Sequence, residues 1–95
     1  MIYRMEGQGD KRYTLALGTQ VREEEFGLLF YTMAGPRLYF LYSGHALDSR
    51  FFKGKFTLEQ WMEERTDRRP VQKKHILGLK RSLNQLKEKG VLIEC

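Results

Sequence analysis

Apolar residues along this chain recur first at every second position and later at every third or fourth, and the change falls near Tyr42. Alternation is the mark of a strand and a spacing near 3.6 that of a helix. Arg12 to Leu17 carries Tyr13, Leu15 and Leu17 on alternate positions and predicts a first strand. Gly18-Thr19-Gln20 offers a bend or bulge, with Val21 able to resume the strand beyond it. Phe26 to Met33 (FGLLFYTM) and Arg37 to Tyr42 (RLYFLY) predict two further strands, and Ala34-Gly35-Pro36 joins them as a hairpin. Beyond Tyr42 a short helix is expected over His45 to Phe52 or Lys53, stopped by Gly54. The next helix has a specified start. Thr57 and Gln60 stand at capping-box spacing, with Phe56 and Trp61 at the positions of a hydrophobic staple. Leu58, Trp61, Met62 and Arg65 follow along it. Pro70 suits the first turn of a third helix over Val71 to Lys89, ended by Gly90. Its buried stripe is Ile76, Leu79, Leu83 and Leu86, interrupted by Gly78, which either weakens the helix or lets another backbone come close. Val91, Leu92 and Ile93 form an apolar tail that closes the core. The expected fold is α+β and winged-helix-like, a three-stranded antiparallel sheet followed by three helices. It forms one domain over residues 12–95 behind a flexible arm, Met1 to Lys11.

The strands carry a second message. A sheet covered on one face should alternate apolar with polar residues. RLYFLY does not, because Leu38, Phe40 and Tyr42 share one face while Tyr39 and Leu41 share the other. FGLLFYTM likewise sets Phe26, Leu28 and Phe30 opposite Leu29, Tyr31 and Met33. Either both faces are covered, by the N-terminal arm or a second copy, or one stays open for a partner. With sequential strand order, Arg37 to Tyr42 is an edge whose free N–H and C=O groups can template an incoming extended peptide.

Composition narrows the class. The 95 residues are 41% hydrophobic and 13% aromatic, enough for one folded core. No apolar run approaches the roughly 20 residues that span a bilayer, and residues 1–11 lack a secretion signal's apolar stretch. With a single cysteine, Cys95, the expectation is a cytoplasmic protein without contact to a membrane. The formal charge of +5 favours anionic partners. Much of it lies in the third helix, where Lys73, Lys74, Lys80, Arg81, Lys87 and Lys89 face only Glu88.

Catalytic patterns are missing. His45 and His75 have no metal-ligand spacing, and Glu23-Glu24-Glu25 reads as a solvated rim. Gly7-Gln8-Gly9 lacks the lysine and helix start of a phosphate loop, and Ser43, Ser49 and Ser82 have no base in a recognisable arrangement. No enzyme activity, cofactor or metal is expected.

Two segments, LGTQVREEEFGLLFYTMAGPRLYFLYSG and LKRSLNQLKEKGVL, together with the order of elements, carry a likeness over Tyr13 to Cys95. The chain resembles the small winged-helix-like recognition elements of ribosomal-peptide pathways, typified by the chaperone of pyrroloquinoline quinone biosynthesis. Within that group it looks most like the mycofactocin precursor-peptide chaperones. The resemblance implies a non-catalytic chaperone with two partners: a short precursor peptide with an acidic leader, and the radical S-adenosylmethionine enzyme that modifies it. It implies that the leader docks beside the third strand, in a groove shared with the third helix. Carried onto this sequence, the peptide site is Arg37, Leu38, Tyr39, Phe40, Leu41 and Tyr42 with His75, Leu79 and Ser82. Lys73, Lys74, Lys80 and Arg81 would attract the leader's charge. Either flank of the helix could line the groove. The chain departs from the family over Gly44 to Gly54, where a longer helix is usual.

A winged-helix DNA-binding protein is the alternative, with lysines and Arg81 on phosphates and Asn84 or Gln85 reading bases. The aromatic strand 37–42 has no role in it, so nucleic acid is the less favoured partner. A third reading is a structural subunit whose open sheet pairs with itself as a homodimer.

Overall fold

A computed structural model describes residues 11–33, 35–66 and 69–95. The expected arm, apart from Lys11, and Ala34 of the expected hairpin turn lie outside the described residues. Five strands and two α-helices follow in the order β1 (Tyr13–Leu15), β2 (Thr19–Glu24), β3 (Gly27–Thr32), β4 (Arg37–Leu41), α1 (Leu58–Glu64), α2 (Lys73–Glu88) and β5 (Leu92–Glu94). The protein is α+β. Its three-stranded antiparallel sheet has the order β2-β3-β4, and a separate antiparallel pair joins β1 to β5.

That pairing corrects the first expected strand. Tyr13 to Leu15 is extended, but it pairs with residues 92–94, Tyr13 opposite Glu94 and Leu15 opposite Leu92, instead of opening the main sheet. After it the chain turns through Leu17 and Gly18, with the Thr19 N–H donating to the Ala16 carbonyl at 3.0 Å. The first strand of the main sheet is β2, whose residues are mostly exposed on both faces. A strand of that composition is held mainly by its hydrogen-bond ladder to β3, with Val21 packed against the core, so it carries little period-two signal. The apolar tail forms β5 at the core's margin, with Val91 and Leu92 buried.

The first of three expected helices is a single 3₁₀ turn, Ser49–Phe52. Asp48 caps it, accepting the Arg50 N–H at 2.9 Å. Both Phe51 and Phe52 are buried. Propagation ends at once, because Lys53 bridges to Thr14 and the Gly54 N–H donates to the Tyr13 carbonyl at 3.1 Å. Gly54 sits at φ +74°, a left-handed conformation open to glycine without a Cβ penalty.

The other helix starts differ in quality. At α1 the Thr57 hydroxyl accepts the Gln60 N–H at 3.2 Å and the Gln60 side chain accepts the Thr57 N–H at 3.0 Å. The staple is also formed, with the Phe56 and Trp61 rings 5.6 Å apart. The third expected helix begins later than Pro70 suggested, at Lys73, and Gln72 makes no side-chain cap. It closes as a Schellman motif, with Gly90 N–H to the Lys87 carbonyl and Val91 N–H to the Leu86 carbonyl.

One core holds these parts together. Leu28, Phe30 and Leu41 from the sheet meet Leu79, Leu83 and Leu86 from α2, with Phe51, Phe52, Leu58 and Trp61 between them. Edge-on ring contacts link Phe30 to Phe52 (5.3 Å), Phe52 to Phe51 (5.1 Å) and Phe51 to Trp61 (5.7 Å). Each such pair adds about 0.5–1.5 kcal/mol beyond its area. The Trp61 indole N–H donates to the buried Ala46 carbonyl at 2.7 Å, tying α1 to the segment after β4. Gly27 admits a tight approach: a Cβ there would stand 2.0 Å from the Leu41 carbonyl oxygen.

Candidate functional site

The site is built from β4, which has a partner strand on one side only. In an antiparallel ladder, successive residues direct their N–H and C=O groups alternately toward one neighbour and the other. The phase is fixed by the Met33 N–H, which donates to the Gly18 carbonyl at 2.9 Å. Residues 29, 31 and 33 therefore face β2, and Leu28, Phe30 and Thr32 face β4. Their partners Leu41, Tyr39 and Arg37 face back toward β3. The main-chain groups of Leu38 and Phe40 point outward. Those of Tyr42, next in phase, do the same, and the Tyr42 carbonyl lies 3.3 Å from His75 Nε2.

That contact decides which flank of α2 lies along the edge. Leu79, Leu83 and Leu86 point into the core. His75 and Ser82, seven residues apart, share one flank, and Lys73, Lys80 and Lys87 share the other. On that far flank Lys80 pairs with Glu59, and Lys87 reaches Glu94 at 3.3 Å. The near flank, His75, Gly78 and Ser82, faces β4. Around the position of a Gly78 Cβ there is no atom within 4 Å. At the other end a recess of about 250 Å³ brings Arg37 and Tyr39 together with Lys89 and Gly90. The helix thus runs antiparallel to β4, touching it at His75 and standing across a recess from it at Lys89, with a slot beside the outward groups of Leu38 and Phe40.

Each expected peptide-site residue has a definite position. Arg37 and Leu38 are exposed, Tyr39 is half-buried, and Leu41 is buried in the core, its main chain paired to β3. Phe40 and Tyr42 are exposed on the outer sheet face, their rings 4.6 Å apart and edge-on. Leu79 is a core residue at 2% exposure and supports the slot from beneath, while His75 and Ser82 border it. The cations are divided. Lys74 and Arg81 lie toward solvent, whereas Lys73 and Lys80 lie on the far flank, Lys80 already paired. Lys73, Lys74, Arg81 and Lys89 make no ion pair among the described residues. Of the two residues considered for base reading, Asn84 donates to Glu88 at 3.3 Å.

Gly78 is legible in the sequence as a place where another backbone can come close but not as a wall of this slot, and the Tyr42 carbonyl is not legible as a contacted group at all. A glycine amid helix-favouring residues was the available signal for the first. The second has none, since it depends on a partner 33 positions away. The opposite edge of the sheet is partly covered: Glu23 on β2 accepts from the Ser49 N–H (3.1 Å) and hydroxyl (3.0 Å).

Among the described residues no group of three or more His, Cys, Asp or Glu could hold a metal ion, and no helix is long and apolar enough to cross a membrane. In comparisons with known proteins, no family model, curated protein or solved structure matches the chain.

Proposed function

We propose that this chain is a non-catalytic peptide chaperone, a winged-helix-like recognition domain. It takes a ribosomally made precursor peptide with an acidic leader as an added strand along β4. It then presents the peptide to a radical S-adenosylmethionine maturase in mycofactocin-type cofactor biosynthesis. The observation that carries the binding half is the slot itself: outward main-chain groups on Leu38 and Phe40 beside a helix flank kept low by Gly78 and Ser82. The identity of the peptide and enzyme rests on the resemblance of the strand segments.

The energetics suit such a guest. Two outward residues offer about four main-chain hydrogen bonds, each worth about 0.5–1.5 kcal/mol net. Micromolar binding needs about 8 kcal/mol, and association itself costs several. The ladder alone falls short. Apolar guest side chains must add the rest against Leu38, Phe40 and Tyr42 on one side and Tyr39 on the other. Lys74, Lys89, Arg81 and Arg37 supply longer-range attraction for leader carboxylates, and this part weakens with salt.

Amide hydrogen exchange tests the reading residue by residue. Candidate short precursors are co-expressed with the domain, and a retained peptide is identified by mass. Its binding should slow exchange at Leu38 and Phe40 while leaving Tyr39 and Leu41, already bonded to β3, unchanged. Absence of any retained peptide, or protection arising elsewhere than β4 and α2, would remove this function.

A further inference from the structure

We infer that the outer face of the main sheet is a homodimer interface, on which two copies pack sheet against sheet about a twofold axis. The inference does not rest on the peptide reading, since it uses the flat of the sheet and not the main-chain groups of the β4 edge, although Leu38, Phe40 and Tyr42 border both surfaces.

The face opposite α2 is built from the outward residues of three strands. Leu29 lies opposite Phe40 and Tyr31 opposite Leu38, with Met33 and Tyr42 at the ends. Apart from Leu29, these are exposed to between 36 and 76%. At about 200 Å² for a large side chain, that amounts to roughly 550 Å² of side-chain surface. Leu29, Gln20 and Arg22 bring the patch near the ~800 Å² per partner of a standard interface. That places the apolar part at the upper end of the largest patch on a typical monomer, a size that is often functional.

The choice of a second copy as occupant rests on two features. The first is charge. The chain carries +5, yet among the described residues this face holds only Arg22 and Glu24 as charged groups, hydrogen-bonded to each other at 2.5 Å. The lysines of α2 lie behind the sheet, so two basic chains can meet here with their charge directed apart. An acidic partner would find on this face only Arg22 among the described residues, and that is already paired with Glu24. The second is shape. An isologous contact needs a projection and its receptor on one surface. The Phe40–Tyr42 pair makes a ridge, and beside it a recess of about 480 Å³ is lined by Gln20, Val21, Arg22, Leu29, Tyr31 and Leu38. A twofold axis between them seats each ridge in the other copy's recess.

Sedimentation equilibrium from low to several hundred micromolar tests this. The expected result is a monomer–dimer equilibrium that Leu38→Glu weakens by about a hundredfold or more, each substitution acting twice. Arg81→Glu, behind the sheet, should leave it unchanged. Should Leu38→Glu fail to fold, a chemical readout remains in a Cys95→Ser background. Gln20→Cys and Tyr42→Cys proteins, mixed and oxidised, should form a disulfide-linked heterodimer faster than either forms a homodimer. A protein monomeric throughout the range, a dimer indifferent to Leu38→Glu, or no preference for the mixed disulfide would overturn the inference.

Discussion

Proline substitution along β4 should distinguish adjacent residues sharply, because the ladder alternates. At Leu38 the N–H points away from β3, so proline removes no bond of the native sheet. Edge strands tolerate proline at such positions. The Leu38 side chain is 63% exposed, and its partial burial is worth under ~1 kcal/mol. At Tyr39 the N–H is directed to Phe30, which has 0% exposure. Proline there leaves the Phe30 carbonyl without its donor in a dry core, costing about 1–3 kcal/mol. Loss of the half-buried ring costs about 1–2 kcal/mol more. Against a total stability of about 5–15 kcal/mol, Tyr39→Pro should approach unfolding while Leu38→Pro should cost about 1 kcal/mol. Urea denaturation followed by Trp61 emission measures both, with Leu38→Ala and Tyr39→Ala subtracted to isolate the main chain. Leu38→Pro should nonetheless weaken a guest strand about fivefold, the loss of one hydrogen bond near 1 kcal/mol. Equal main-chain costs at the two positions, or a larger cost at Leu38, would refute the assigned phase of the ladder and the slot with it.

Other substitutions probe the supports. Gly27→Ala drives a methyl into the Leu41 carbonyl, and overpacking against main chain should cost at least ~2–3 kcal/mol in the same denaturation assay. Trp61→Phe removes the donor to the buried Ala46 carbonyl and should cost about 1–3 kcal/mol by circular dichroism melts. Arg50, hydrogen-bonded to Asp48, holds that carboxyl below its ordinary value. The stability this supplies is complete above the unfolded pKa, about 3.9, and is lost as pH falls through the lowered folded value. The Asp48 side chain is 28% exposed and Arg50 66%, so the pair is screened by solvent and its contribution is small. Asp48→Asn, which can still cap the turn, should be slightly less stable at neutral pH. Its stability should also fall less steeply below pH ~4 than that of the parent.

What was legible in the sequence was what neighbours in sequence decide. Thr57, Gln60, Phe56 and Trp61 announce the start of α1 because a capping box and staple need only residues within five positions. Ile76, Leu79, Leu83 and Leu86 announce the inner side of α2 for the same reason. The doubled apolar pattern of β3 and β4 foretold a sheet with apolar residues on both faces, and the order β2-β3-β4 sets Arg37–Leu41 at an edge. Long-range choices were hidden. Nothing within Tyr13–Leu15 says that its partner is Leu92–Glu94. Polar β2 carries no burial signal, and two adjacent phenylalanines fit a helix as well as a 3₁₀ turn. Of the site, the strand could be read but the helix flank could not. The flank depends on His75 meeting Tyr42, and the lysines' availability depends on Glu59 and Glu94.

The approach of α2 to the strand edge at His75 has a mechanical consequence. Behind helix and strand lie Leu79, Leu83, Phe30 and Leu41, members of one buried cluster whose girth bears on the gap between the two elements. Trimming or enlarging one of these, Leu79→Val or Leu83→Met for instance, resizes the opening without altering any group that a guest touches. Interior volume then acts as a gauge of which guests fit, and selection for a new guest could begin among residues that never meet it.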